Sequence, residues 1–244
     1  MTTAVASILA LPPRTAQLRL AARWEQARRH PLKFLQYFVF TYDTHAPQGI
    51  DPVRPFPVDR PYMAPLVDLW LDNPRIAVCK SRQMMVTWLG CALALWDAMF
   101  HRGKLILLQS QDFGFAVGSR DTGKGLLGRC QCIIDNMPGR KQLIPPWRDL
   151  TESITFKHGS EIIPIAHGSD KTRGDTVSGW LSDEIGFQEK FEQAFTATTA
   201  CLRDNQHPPR GPRLGGPWAF LLSTATMQDG GYLRRIVRGE DDPS

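Results

Sequence analysis

The sequence has no run of eighteen apolar residues, so nothing in it is built to cross a bilayer as a helix. Its start, MTTAVASILALPPR, holds a short apolar patch without a leading positive charge, which argues against a secretory signal. Cysteine is sparse and odd in number: five, with no repeated spacing. Cys130 and Cys132 are too close for a C-x-x-C pair, and no histidine pair lies beside them. The thiols therefore read as incidental groups of a reducing compartment, not as a zinc site. Charge of one sign is not in large excess either. A net charge of +5 permits nucleic acid as a partner without demanding it. There are no internal repeats and no low-complexity tract. What remains is an ordinary globular chain of 244 residues, 42% hydrophobic, with room for one large α/β domain or one domain and a short extension.

Residues 15–40 carry helical periodicity through Leu18, Leu20, Trp24, Phe34, Leu35 and Phe38, and Pro31 divides them into two short helices. The arginines of ARWEQARRH read as a solvated helix face. The prolines and glycine of residues 44–61 predict a long ordered loop without regular structure. Tyr62–Leu71 returns to helix. A strand-helix rhythm follows: strand Ile76–Val78 and helix Val86–Phe100, then strand Leu105–Gln109 and a helix from about Phe113. Ser153–Phe156 and Glu161–Ala166 predict a hairpin turning at His158-Gly159. Val177–Ser182 is an apolar run, Phe191–Asp204 a helix, 206–217 a loop and Trp218–Ser223 a last strand. Short apolar strands alternating with helices predict an α/β fold with a mainly parallel sheet covered on both faces.

RIAVCKSRQMMVTW, residues 75–88, has the layout of a phosphate-binding loop: strand, polar turn, helix start. Against G-x-x-x-x-G-K-[ST] it keeps only the final hydroxyl residue. Lys80 stands at the first Gly, Met85 at the second, Val86 at the Lys, and Thr87 is retained. Thr87 can hold Mg²⁺, Lys80 or Arg82 can supply the cation, and the N–H groups of Ser81, Gln83, Met84, Met85 and Val86 could face phosphates. The missing glycine costs clearance at Met85. An ordinary strand-helix connection with a surface Lys and Arg fits the same residues. Downstream, Gly118-Ser-Arg-Asp-Thr-Gly123-Lys124-Gly125 has the glycine spacing and the Lys, but Gly125 replaces the Ser/Thr and no apolar strand immediately precedes it. It reads as a basic, flexible loop.

The run Val177–Ser182 ends in Asp183-Glu184. An acidic pair at the C-terminal end of a buried strand is where open α/β sheets place ligands. There the Asp holds the Mg²⁺ shell and the Glu polarises an attacking water. The preceding GSDKTRGDT supplies Lys171 and Arg173, and strand 218–222 runs into Ser223-Thr224-Ala225-Thr226, a turn that could sense hydrolysis. Solvated charges and ordinary turn chemistry are the plainer readings of these last two segments.

In this order the elements resemble the ATPase domain of phage terminase large subunits, motors that package double-stranded DNA. KSRQMMVTW is similar to that family's loop K-S-R-Q-M-G-V-[ST]-W. The runs LQSQ, FKHGSEIIPIAHGSDKTRGDT, WLSDEIGF and LLSTAT resemble its later segments, and PFPVDRPYMAPLVDLW its segment near the adenine. The resemblance covers about residues 50–232. It implies an additional-strand P-loop ATPase over 51–235, preceded by a helical extension and linker (1–50) and followed by a tail (236–244). It implies Lys80 on the β/γ-phosphates and Pro57 and Tyr62 near the base. Mg²⁺ would sit on Thr87 and Asp183, with Glu184 as catalytic base. Arg82 or Arg173 would meet transition-state charge, and Ser223, Thr224 and Thr226 would couple hydrolysis to movement. The implied cofactors are ATP and Mg²⁺. The implied partners are double-stranded DNA, a portal protein, a small terminase subunit and further copies in a ring, with no membrane, in the host cell cytoplasm. Two departures stand out: Met85 in place of Gly, and a chain end at Ser244 without the acidic residues of the family's nuclease domain. No nuclease activity is expected of these residues. A helicase-like ATPase and a catalytically silent scaffold are the alternatives.

Overall fold

The computed structural model describes residues 13–166, 176–188, 191–202 and 211–224. Helices α1 (Pro13–Arg29) and α2 (Pro31–Phe38) are separated at His30, whose ring accepts from Leu32 N, with Pro31 at the first helical position. Strands β1 (Phe40–Tyr42) and β2 (Val53–Pro55) follow, then α3 (Met63–Asp72), β3 (Arg75–Lys80), α4 (Val86–Phe100) and β4 (Leu105–Gln109). Next come α5 (Phe113–Val117), α6 (Leu126–Asn136), α7 (Arg140–Leu143), β5 (Trp147–Leu150), β6 (Ser153–Phe156) and β7 (Glu161–Ile165). The last elements are β8 (Gly179–Ser182), α8 (Phe191–Cys201) and β9 (Trp218–Thr224).

The main sheet has the order β3-β9-β8-β4-β7-β6-β5. Its pairs from β3 to β7 are parallel, and β7-β6-β5 is antiparallel. Strand β9 lies between the loop strand β3 and the acidic strand β8, which is the added strand the sequence reading expected. The hairpin at His158-Gly159 is present. One expectation fails in part. The stretch 44–61 is not wholly irregular, because Val53–Pro55 pairs antiparallel with Phe40–Tyr42. Pro52 precedes that pairing and Pro55 ends it opposite Phe40, and as β2 pairs with β1 alone among the described residues, its other edge needs no N–H donors.

Helix α4 is apolar all round and buried along nearly its whole length, as a helix between a sheet and further helices must be. It carries the larger core cluster with α1, α2, α3 and α6. The N-terminal helices thus belong to the same core as the sheet: Trp96 Nε1 donates to Ala27 O at 2.7 Å, and Trp24 packs on Phe38 and Phe100. Asp97, 2% exposed, accepts from Trp218 Nε1 at 2.8 Å and ties α4 to β9. The opposite face of the sheet is covered by α8, with Trp180 stacked on Phe191. Among the described residues no helix is long and apolar enough to cross a membrane.

Candidate active site

Strands β3, β8 and β9 are parallel, so their C-terminal ends share one edge of the sheet. Lys80 pairs in register with Thr224, and Cys79 with Ser223. The acids follow β8 directly. The edge therefore collects Lys80, Thr87, Asp183, Glu184, Ser223 and Thr224 from three distant parts of the sequence. Thr87 Oγ1 donates to Asp183 Oδ2 at 2.9 Å. Lys80 Nζ lies 3.1 Å from Glu184 Oε1 and 3.4 Å from Asp183 Oδ1. Glu184 Oε2 accepts from both the backbone N (3.2 Å) and the hydroxyl (2.9 Å) of Thr224.

The acidic turn is held rigidly. Glu184 has φ +55° and ψ +44°, a left-handed backbone uncommon for a side chain of its size. Such a conformation persists where its surroundings fix it. Ser223 Oγ accepts from Gly186 N, and Gln188 donates to Ser182 Oγ and Asp183 O. Gln109 donates to Gln188 and accepts from Trp180 Nε1, so the buried network is closed on the β4 side. Burial alone would raise the Glu184 pKa. Hydrogen bonds from Lys80 and Thr224, with the Lys80 charge, outweigh that and bring it below its ordinary value.

The phosphate-type loop answers the missing glycine by adopting glycine's backbone without it. Met85 has φ +59° and Gln83 φ +63°. A left-handed non-glycine residue costs roughly 1–2 kcal/mol. The side chains of Met84 and Met85 pack on the larger core cluster, which offsets part of that cost. Arg60 and Tyr62 hold the loop from outside: Arg60 donates to Gln83 O at 3.2 Å and to Tyr62 OH at 2.9 Å, and Tyr62 OH donates to Met84 O at 3.0 Å. Tyr62 was expected near the base; here it braces the loop. Arg60 was not foreseen, since a lone Arg among prolines carries no spacing signal.

A cavity of about 580 Å³ opens in front of the loop. Lys80, Ser81, Gln83, Met84, Met85, Val86 and Thr87 form its floor, and Pro57 with the β1-β2 ribbon forms one side. The other side is the glycine-rich segment 118–125, through Thr122, Gly123 and Lys124. That segment is not the flexible loop expected from sequence. Ser119 and Lys124 exchange backbone hydrogen bonds, and a Cβ on Gly118 would lie 1.9 Å from Lys124 O. Glycine is required there by backbone contact, not by phosphate. Arg82 is exposed and does not line the cavity. Arg173, Lys171 and Thr226 lie outside the described residues.

No group of three or more His, Cys, Asp and Glu that could hold a metal occurs among the described residues. Thr87 Oγ1 and Asp183 Oδ2 form the two-oxygen set that suits Mg²⁺ when phosphates and water complete its shell.

No protein-family model matches the chain, and no curated protein matches it in sequence. Solved structures do. The large terminase of bacteriophage HK97 superposes with a TM-score of 0.57 at 15% identity, over 88% of this chain and 42% of that one. The fold is that of a phage large terminase. The large terminase of a thermophilic bacteriophage (TM-score 0.43, 13% identity, 62% of this chain and 34% of that one) and that of Thermus phage P74-26 (the ATPase domain; 0.42, 16%, 64% and 61%) also align. The chain spans less than half the length of the HK97 terminase, so the likeness concerns one part of that protein.

Proposed function

We propose that this terminase-like domain is a Mg²⁺-dependent ATPase that drives double-stranded DNA into a procapsid. The observation that carries the reading is the meeting of Thr87 with Asp183 and of Lys80 with Glu184 at the C-terminal edge of the sheet. A hydroxyl and carboxylate for Mg²⁺, a cation for phosphate and a second carboxylate beside them are the parts phosphoryl transfer needs. ATP binds in the cavity over the loop, with its triphosphate on Lys80 and the α4 N-terminus. Thr87 and Asp183 would hold Mg²⁺, which would supply charge neutralisation at the phosphates. Phosphate oxygens compete with the two acids for Lys80 and so release Glu184 Oε1. Glu184 then takes a proton from the water that attacks the γ-phosphorus, and the bond to the ADP oxygen breaks. The two bonds from Thr224 to Glu184 carry that event to β9, whose strand end was expected to couple hydrolysis to movement.

DNA contact in this reading is phosphate-directed and salt-sensitive. A ring of copies on a portal protein, supplied with DNA by a small terminase subunit in the host cytoplasm, is its biological setting. The test is steady-state ATPase activity with and without double-stranded DNA, for the wild type and for Glu184→Ala and Lys80→Ala. Turnover that survives both substitutions rejects the site. DNA stimulation by single strands alone favours a helicase-like ATPase. Absence of nucleotide binding, even at concentrations that support assembly, favours a silent scaffold.

A further inference from the structure

We propose that Arg129, on α6, is a triphosphate-contacting residue supplied in cis by the cavity wall that contains Thr122, Gly123 and Lys124. This rests on the nucleotide reading of the cavity. The wall is a built structure. Gly118 and Gly125 touch backbone to backbone, and Gly128 of α6 lies against Ser119, where a Cβ would come within 2.5 Å of its carbonyl oxygen. The wall is docked on Trp88, the residue after Thr87: a Cβ on Gly123 would lie 2.6 Å from the indole. Arg129 stacks over the same ring, its guanidinium carbon 5.6 Å from the centroid. One guanidinium nitrogen donates to Gly125 O at 3.0 Å. The side chain is thus oriented by a carbonyl and an aromatic face within one residue of the proposed Mg²⁺ ligand.

Two polar atoms here are buried without a hydrogen-bond partner, Arg129 Nε and Thr122 Oγ1, and both residues line the cavity. Buried donors are rarely left so unless a ligand or water completes them. The charge distribution points the same way. Lys80 faces two carboxylates, Arg60 is spent on Tyr62 and Gln83, and Arg82 is off the cavity. Arg129 and exposed Lys124 add positive charge to the cavity lining. A planar guanidinium with donors to spare suits phosphate oxygens.

The test is calorimetric binding of Mg·ATP, adenosine and inorganic tripolyphosphate to the wild type, Arg129→Met and Arg129→Lys. Met keeps an apolar stem over Trp88 but no donor. Charge-assisted hydrogen bonds of this kind predict roughly a tenfold or larger loss of ATP and tripolyphosphate affinity in R129M. Adenosine binding should be unchanged and the loss in R129K smaller. If R129M melts earlier than the wild type without nucleotide, R129K decides: its ATP affinity must still fall. Wild-type ATP affinity in both variants overturns the proposal and leaves the nucleotide site standing. An equal loss for adenosine overturns it too, because the contact is then to the nucleoside. A wild type that binds no ATP removes the nucleotide reading as well.

Discussion

Lys80 Nζ stands 3.1 Å from Glu184 Oε1, in a pair whose lysine side chain is 8% exposed and whose glutamate is 28% exposed. The lysine that the sequence offers early in the loop thus meets the proposed catalytic base directly. Removing one partner of a largely buried pair leaves the other charge uncompensated, and here two acids lose their cation. Lys80→Ala should therefore destabilise the fold by about 3 kcal/mol, the low end for breaking a buried pair. It should also abolish ATP turnover. Chemical denaturation and steady-state kinetics check the two effects separately.

Glu184 itself gives a pH signature. Its folded pKa lies below the ordinary value, because Lys80 and Thr224 outweigh the burial that opposes them. A depressed carboxylate contributes stability above its unfolded pKa and loses it as pH falls through the folded value. Glu184→Gln should be less stable than the wild type at pH 7, with the gap closing below about pH 4. Urea denaturation at both pH values reads it. At neutral pH the same variant should bind ATP but hydrolyse it ~10²–10⁴-fold more slowly, as expected for loss of a general base.

Met85 separates steric cost from function. Its left-handed backbone is what a glycine adopts freely. Met85→Gly should preserve or tighten ATP binding, with its gain in backbone freedom offset by lost packing on the core. Met85→Val should lower the melting temperature and weaken ATP binding, since a β-branched residue tolerates positive φ least. Weaker binding by the glycine variant would mean that the Met85 side chain itself contacts the nucleotide.

Most of the sheet was legible because its strands are short apolar runs, whereas the edge strand β5 (Trp147–Leu150) is half polar and was not foreseen; Asp183-Glu184 stood out because an apolar run precedes it. The resemblance implied an added strand, but the strand order, with β9 between β3 and β8, is seen only in the structure, since no local pattern encodes it. The pairing of Val53–Pro55 was hidden by its prolines, which mark loops in general but are tolerated at an edge. The glycine-rich turn at 118–125 was set aside as a phosphate loop and read as a basic, flexible loop; that its glycines satisfy backbone packing against Lys124 and α6 could not be seen from spacing alone. Arg60 and Arg129 were invisible because each works through a carbonyl or a ring brought close only by the fold.

Arg60 and Tyr62 supply the last prediction. They grip Gln83 O and Met84 O, the carbonyls beside the two left-handed residues of the loop. Neither bond belongs to the main core, so losing them should loosen the loop more than the domain. Tyr62→Phe keeps the ring but removes two hydrogen bonds, the one to Met84 O and the one from Arg60, each worth about 1 kcal/mol. Arg60→Ala removes the contacts to both Gln83 O and Tyr62 OH. ATP affinity should fall several-fold in Tyr62→Phe and further in Arg60→Ala, with little change in melting temperature for either. The double variant should be no weaker than the sum of the two, since the side chains share one hydrogen bond and act on one loop. Calorimetric titration of the three variants measures this. Unchanged affinity in Arg60→Ala would show that the loop keeps its strained backbone without an outside brace.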